Sequence, residues 1–364
     1  MKIAQIAPLA ERVPPKLYGG TERIVSYLTE ELVRQGHDVT LFASGDSLTK
    51  AKLVPCSEVA LRLNAAVSDP IPHLAAMIEE VRRHAQEFDV LHFHIEFLHF
   101  PLIRDFADRT VTTLHGRLDL PDLQPFYRAF PEIPVVSISN DQRQPMPPVN
   151  WRGTVYHGLD ENVLPFTEKP HSGYLAFLGR ISPEKGADRA IEIADRVGMR
   201  LKIAAKVDTQ DKCYWQTVIE PMVASHPNVE YMGEIDEREK ADFLGNAAAM
   251  LFPIDWPEPF GLVMIESMAC GTPVLAFRCG SAPEVIDDGV SGILVDTMPE
   301  AIEKLEAVLS LDRRKVRGAF ERRFTAERMT QDYLEIYRNL PGVCRQAAAA
   351  HAPEEESIAL KVAW

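Results

Sequence analysis

The chain has 364 residues, 46% of them hydrophobic and 25% charged, with 39 Lys and Arg against 53 Asp and Glu for a formal net charge of −14. That length exceeds what one hydrophobic core organises, so two domains are the default, and the acidic balance argues against a nucleic-acid partner. With no run of 18 apolar residues and a strand pattern starting at Met1-Lys2-Ile3, neither a membrane span nor a signal peptide is expected; Cys56, Cys213, Cys270, Cys279 and Cys344, without Cys-x-x-Cys spacing, read as reduced thiols in the cytoplasm.

Two series of alternating strands and helices follow one another. The first opens with a strand at Lys2–Leu9, a long loop to Gly19-Gly20, and a helix from Thr21 to Gln35. That helix has Ile24, Val25, Leu28, Leu32 and Val33 at helical spacing and Gly36 as its stop. Further strands are expected at Asp38–Ala43, Asp89–His94, Thr110–His115, Val135–Ser139 and Thr154–His157. A polar, proline-bearing stretch, 159–172, reads as a linker between a first domain (1–158) and a second (173–325). The second series is expected at Tyr174–Leu178, Leu201–Ala205, Val229–Met232, Met250–Pro253, Val274–Phe277 and Gly292–Val295. Short apolar strands separated by helices imply parallel sheets covered on both faces, with ligands at the carboxyl ends of the strands. A last helix at 326–340 carries Met329, Tyr333, Ile336 and Tyr337 on one side, and 341–364 is expected to be a mobile tail.

The most informative stretch is Trp256-Pro-Glu-Pro-Phe-Gly-Leu-Val-Met-Ile-Glu266. Glu258 and Glu266 stand eight positions apart across a Pro259-Phe260-Gly261 turn, and Leu262, Val263 and Ile265 give the apolar face of a helix opening near Gly261. Glu266 then lies about a turn inside that helix and Glu258 in the loop before it. Free backbone N–H groups and the positive end of the helix dipole lie between them and suit a diphosphate, while the carboxylates can accept hydrogen bonds from sugar hydroxyls. A nucleotide-sugar has that chemistry.

This segment resembles the Glu-x7-Glu signature of retaining glycosyltransferases of the family 4 type, which have the GT-B fold of two Rossmann-like domains. The similarity extends over roughly residues 1–340. It implies that Glu258 contacts the transferred sugar and Glu266 the nucleotide ribose, that the donor binds mainly the second domain and the acceptor the first, and that the last helix returns to brace the first domain.

Gly19-Gly20, where the first strand hands over to its helix, lets backbone approach a phosphate, and the resemblance assigns it to the donor diphosphate. Gly179-Arg180-Ile-Ser-Pro-Glu-Lys185-Gly186 matches the family's Gly-Arg-x-x-x-x-Lys-Gly loop, with Arg180 and Lys185 as cations for a leaving diphosphate. His115-Gly116 ends a strand, and the resemblance sets His115 against the donor sugar; His157-Gly158 reads first as structural. His92, His94 and Glu96 share a strand face and, with His99, suggest a metal site, but their apolar frame argues for a buried strand.

The chain lacks Asp-x-Asp, Gly-x-Gly-x-x-Gly and a Walker loop. The resemblance implies a UDP-sugar or another nucleoside-diphosphate-sugar as donor; without Asp-x-Asp it is expected to bind without a metal or resident cofactor, and a nicotinamide oxidoreductase, which needs the missing glycine fingerprint, is disfavoured. A nucleotide-sugar epimerase, a phosphorylase on the same fold, and a non-catalytic nucleotide-sugar-binding protein are the alternatives. Only Arg82-Arg83-His84 hints at a basic membrane-docking face, and the acceptor loops 10–18 and 117–130 carry no readable pattern.

Overall fold

The computed structural model describes residues 1–62 and 64–350, with side chains through Arg345. In the first half, β1 (Lys2–Ile6), β2 (Asp38–Ser44), β3 (Lys52–Ser57), β4 (Val90–Phe93), β5 (Thr110–Thr113), β6 (Pro134–Ser137) and β7 (Asn150–Thr154) form one sheet in the order β3-β2-β1-β4-β5-β6-β7. In the second, β8 (Tyr174–Arg180), β9 (Leu201–Lys206), β10 (Val229–Gly233), β11 (Ala247–Phe252), β12 (Val274–Phe277) and β13 (Gly292–Val295) form another in the order β10-β9-β8-β11-β12-β13. The paired strands in both are parallel. The strand order reverses between β1 and β4 and again between β8 and β11, so each sheet has a crevice at the carboxyl end of its first strand. Gly19-Gly20 follows the first crevice and Arg180 closes the second.

In the first sheet β1, β4, β5 and β6 end one to three residues before the expected bounds, whereas in the second β8, β9 and β10 run one or two residues further and β12 and β13 match. Two elements differ in kind. β3 was not expected, since Lys52–Ser57 contains Pro55; it is the edge strand, where a missing N–H leaves no ladder bond broken. The strand expected at Thr154–His157 lies earlier, at Asn150–Thr154, and only Val155 N–H, donating to Ser137 O at 2.9 Å, extends it. A polar run holding Gly153 has no strand pattern of its own. The last helix supplies its apolar cover, since a Cβ on Gly153 would lie 3.3 Å from Ile336 Cδ1.

That last helix, Ala326–Arg338, is capped by the Thr325 side chain and buries Met329, Tyr333, Leu334, Ile336 and Tyr337 against the first domain. Its phenols enter a buried polar network. Tyr333 Oη lies 2.8 Å from Thr113 Oγ1, and Tyr337 Oη lies 2.7 Å from His92 Nδ1 while accepting from Gln5 Nε2 at 3.1 Å. The chain does not then become a tail at once. Pro341–Ala350 is helical, as Pro at the first position and an alanine run favour, with Arg345 paired to Asp108; residues 351–364 lie outside the described residues. Among the described residues no helix is long and apolar enough to cross a membrane.

Tyr337→Phe keeps the ring but deprives buried His92 and Gln5 of a partner. It is expected to lower stability by about 1–3 kcal/mol, read as a lower urea midpoint at unchanged slope. An unchanged midpoint would mean that the hydroxyl does not hold the helix to the sheet.

Candidate functional site

A cavity of about 380 Å³ opens between the two sheets. It is lined by Gly19, Gly20, His115, Arg180, Lys185, Glu258, Phe260, Gly261, Leu262 and Glu266 together, so every residue assigned from the sequence to donor binding or catalysis lines one space, whereas His92, His94, Glu96 and His99 do not line it. Tyr18, Glu22, Arg62, Lys206 and Lys240 also line it and were missed. Lys206 closes β9, and its position at a strand's carboxyl end was the available signal. Arg62 sits in a loop with no pattern.

The helix carrying Glu266 runs from Leu262 to Ala269, with Gly261 ahead of it in the left-handed conformation at φ 75°. Its first N–H groups have no partner within the helix and open on the cavity at Leu262 and Val263. Gly20 belongs to the opposite wall, and a Cβ there would lie 3.1 Å from Leu262 Cδ1. The glycine loop of one domain thus meets the helix start of the other.

Each glutamate is held by its own lysine. Lys240 Nζ donates to Glu266 Oε1 at 2.6 Å in a nearly buried pair, and Lys185 Nζ bonds Glu258 Oε2, which also accepts from Trp256 Nε1 at 2.9 Å. The Trp256 ring carries Lys185 Nζ over its face at 4.7 Å. Arg180 donates to Glu184 at 2.7 Å and has Asp211 and Asp208 at 3.5 and 3.8 Å. Asp208 is shared with Lys206 at 2.9 Å and Arg62 at 3.2 Å. Four cations therefore gather at one end of the cavity, balanced by protein carboxylates that an anionic ligand could replace.

Beneath the glycine loop, burial raises the Glu22 carboxyl to about 7; it accepts from Glu11 N–H at 3.2 Å. Burial does the same to Glu96, also to about 7, although that carboxylate accepts the N–H groups of His115 and Gly116 at 2.9 Å each. Glu96 is displaced from the face of His92 and His94 by its own positive φ of 57°.

The histidine run forms hydrogen bonds within the protein. Gln5 Oε1 can only accept, so His94 donates to it from Nε2 at 2.8 Å and presents Nδ1 as an acceptor. His115 Nε2, 2.9 Å from that atom, must then carry the proton. The tautomer of His115 is set from β1 through β4, with the Gln5 amide oriented as placed. His115 stacks on His157 with ring centroids 5.2 Å apart, and His157 in turn meets Phe260 at 4.8 Å. Among the described residues no group of His, Cys, Asp and Glu is arranged to hold a metal ion.

Burial pushes His92, His94, His99 and His157 well below the usual imidazole range, and His115 to about 3. The unfolded chain therefore takes up more protons than the folded one as pH falls below about 6.5, and stability is lost there. Glu22 and Glu96 act in the opposite sense, since their folded carboxyls keep protons up to about pH 7 and cost stability as pH rises from about 4.5. Five imidazoles outweigh two carboxyls. The urea midpoint is expected to fall steeply from pH 6.5 to 5; a flat profile would contradict neutral burial of the cluster.

Two family models match the chain: glycosyl transferases group 1 over residues 164–323 and glycosyltransferase family 4 over residues 18–141. An uncharacterized glycosyltransferase of Methanocaldococcus jannaschii is 27% identical over 51% of this chain, which spans only about half, 53%, of that relative. N-acetyl-alpha-D-glucosaminyl L-malate synthase of Bacillus anthracis is 26% identical over 88% of this chain and 93% of its own length. The crystal structure of Anabaena HepE in complex with UDP-glucose superposes with a TM-score of 0.68 at 17% identity, covering 92% of this chain and 98% of that one. The architecture is the GT-B fold.

Proposed function

This chain belongs to the group 1, family 4-type glycosyltransferases, and from that premise we propose that it moves a sugar from a nucleoside-diphosphate-sugar, a UDP-sugar first among them, to an acceptor hydroxyl, with retention of anomeric configuration and without a metal ion. One observation carries the reading: Arg180, Lys185, Arg62 and Lys206 converge with the start of the Leu262–Ala269 helix on a cavity flanked by Glu258 and Glu266. That arrangement suits a diphosphate with a ribose on one side and a hexose on the other. The UDP-glucose bound by the Anabaena protein supports uridine as the base.

On this reading Glu266, oriented by Lys240, accepts the ribose hydroxyls. The diphosphate draws Lys185 away from Glu258, whose carboxylate is then free to accept hydroxyls of the transferred sugar. Ligand charge and catalytic carboxylate are coupled through one ammonium group. His115, with its tautomer set by His94, positions the sugar. Retaining members of the family this chain resembles lack an evident nucleophile, and front-face attack, in which the departing diphosphate takes the acceptor proton, fits that resemblance. Stabilising that leaving group is then the main catalytic contribution, and losing one preorganised charge, Arg180 or Lys185, is expected to raise the barrier by about 2.7–4 kcal/mol.

A thermal-shift series tests the donor assignment. UDP at 100 times its dissociation constant should add about 2.7 kcal/mol, NAD and NADP nothing, and excess EDTA should leave donor turnover unchanged. Stabilisation by the dinucleotides alone, or loss of turnover with EDTA and recovery with manganese, would overturn it.

The two glutamates are expected to separate kinetically. Ribose contacts do not change during reaction, so Glu266→Gln should raise the donor KM, whereas Glu258→Gln should lower kcat while UDP still binds. Both can be read from UDP release before the acceptor is known. Full turnover by Glu258→Gln would remove that residue from the sugar site.

A further inference from the structure

A second cavity, of about 360 Å³, lies on the far side of the Glu258 loop. Pro257 and Pro259, the immediate neighbours of Glu258, form one wall. The opposite wall belongs to the first domain and consists of Arg117, Leu118 and Asp119 after β5 and Asp141, Gln142 and Gln144 after β6. Both loops leave the carboxyl ends of parallel strands, where ligands of such sheets bind. Pro259 lines both cavities, so the Glu258 turn is the partition between them.

The chemistry of this wall is specific. Arg117 is committed: it donates twice to Asp119, at 2.7 Å through both Nε and Nη2, in a bidentate pair. Its guanidinium also stands over the Trp256 ring, 5.9 Å from the centroid. Gln142 is committed as well, since its amide donates to Leu114 O and Gly116 O and accepts from Ile138 N–H, tying the two loops together. Asp141 is different. Among the described residues only a 3.5 Å contact from Gln144 reaches its carboxylate, and its own N–H is spent on Glu284 at 2.7 Å. Burial, with the Glu284 charge beside it, raises its pKa above the usual range. The cavity therefore has one carboxylate with lone pairs to spare, one cation already neutralised, and a further carboxylate, Glu284, behind it. Its local charge is negative.

We propose that this cavity is the acceptor subsite and that it selects an uncharged, hydroxyl-rich acceptor, a sugar or polyol, one of whose hydroxyls donates to Asp141. The proposal rests on the glycosyltransferase reading above and adds to it the class of the second substrate. A hydroxyl donates well to a carboxylate that lacks partners, whereas a phosphate or carboxylate on the acceptor would face Asp141 and Glu284 and would have to pull Arg117 out of its bidentate pair. The prolines and Leu118 give the C–H faces of a sugar ring an apolar surface. The volume falls in the range of small-molecule sites, and a ligand here reaches the transferred sugar only past Glu258.

The experiment uses the full chain and UDP-glucose as donor probe. UDP release is followed with a neutral panel (mono- and disaccharides, inositol) and an anionic panel (sugar phosphates, hydroxy acids), each acceptor at 10 mM on the order used for weak sugar binding. UDP binding is measured separately by thermal shift. Neutral compounds are expected to stimulate release about tenfold or more and anionic ones not, and Asp141→Asn should raise the KM of the stimulating acceptor about tenfold with a smaller change in kcat. Stimulation by an anionic compound that is lost in Arg117→Ala would overturn the proposal, as would an unchanged acceptor KM in Asp141→Asn. Stimulation by neither panel with UDP still bound would overturn it and leave the donor reading standing; no UDP binding at all would remove both.

Discussion

The Trp256–Gly261 turn can exist only because residue 280 has no side chain. A Cβ on Gly280 would lie 2.3 Å from Glu258 N and 2.7 Å from Glu258 O, and its own φ of 56° is left-handed. From this close approach, Ser281 N–H donates to Glu258 O at 2.9 Å, fixing the loop after β11 to the loop after β12. Everything at the cleft follows from the turn so held. It aims the Glu258 carboxylate at Lys185, sets the start of the Leu262–Ala269 helix, and presents Pro257 and Pro259 to the second cavity. Phe260, buried at the same turn, packs against His157 and Phe324 and so reaches both the first domain and the approach to the last helix. A single backbone contact within the second domain thereby sets the geometry of both cavities.

Charge at the cleft is arranged in pairs that can be exchanged. Lys185–Glu258 and the Arg180 cluster border the cavity and keep some solvent access, so their cations are available to a ligand with more negative charge. Lys240–Glu266 is nearly buried. Removing one member there would leave an uncompensated charge, a far larger cost than losing a surface pair, which suits the fixed orienting role proposed for Glu266. The two glutamates of the motif therefore differ in how firmly their lysines hold them, a difference that follows from burial.

The fold was legible because both sheets are parallel and buried, so their strands read as apolar runs and their order of alternation with helices survives in the text. The motif residues were legible because glycine turns and fixed spacing are local features. What escaped was set by tertiary contact. β3 reads poorly because Pro55 suits only an edge, and the Asn150–Thr154 strand has apolar cover only once Ile336 arrives from nearly two hundred residues downstream. Arg62 and Lys206 acquire meaning only through their shared partner Asp208. Asp141 and Arg117 look like ordinary loop charges in sequence; which of them is committed to a partner is a property of the folded loops. The apolar frame of the His92–His94 run already argued for a buried strand over a metal site, but not which partners its nitrogens have: Gln5, Tyr337 and Thr113 come from three other parts of the chain.

The contacts that close the cleft are of a different kind from those that hold the domains together. Across the cleft Arg23 pairs with Glu237 at 2.6 Å, Tyr27 donates to Glu237 at 2.8 Å, and Tyr18 N–H donates to Glu234 at 3.1 Å. On the opposite side Glu284 accepts from Asn140 N–H, Asp141 N–H and the Tyr156 hydroxyl, at 2.8, 2.7 and 2.9 Å. Groups of this type regain hydrogen bonds from water when separated, so parting them costs little. The last helix offers no such exchange: Met329, Tyr333 and Tyr337 are fully buried, and withdrawing them would expose apolar surface at about 25 cal/mol per Å². Parting the polar faces would therefore cost less than withdrawing the helix. Both polar seams end on residues that line a cavity, Arg23 at the first and Asp141 at the second, so a ligand in either cavity would meet groups that hold the two domains together.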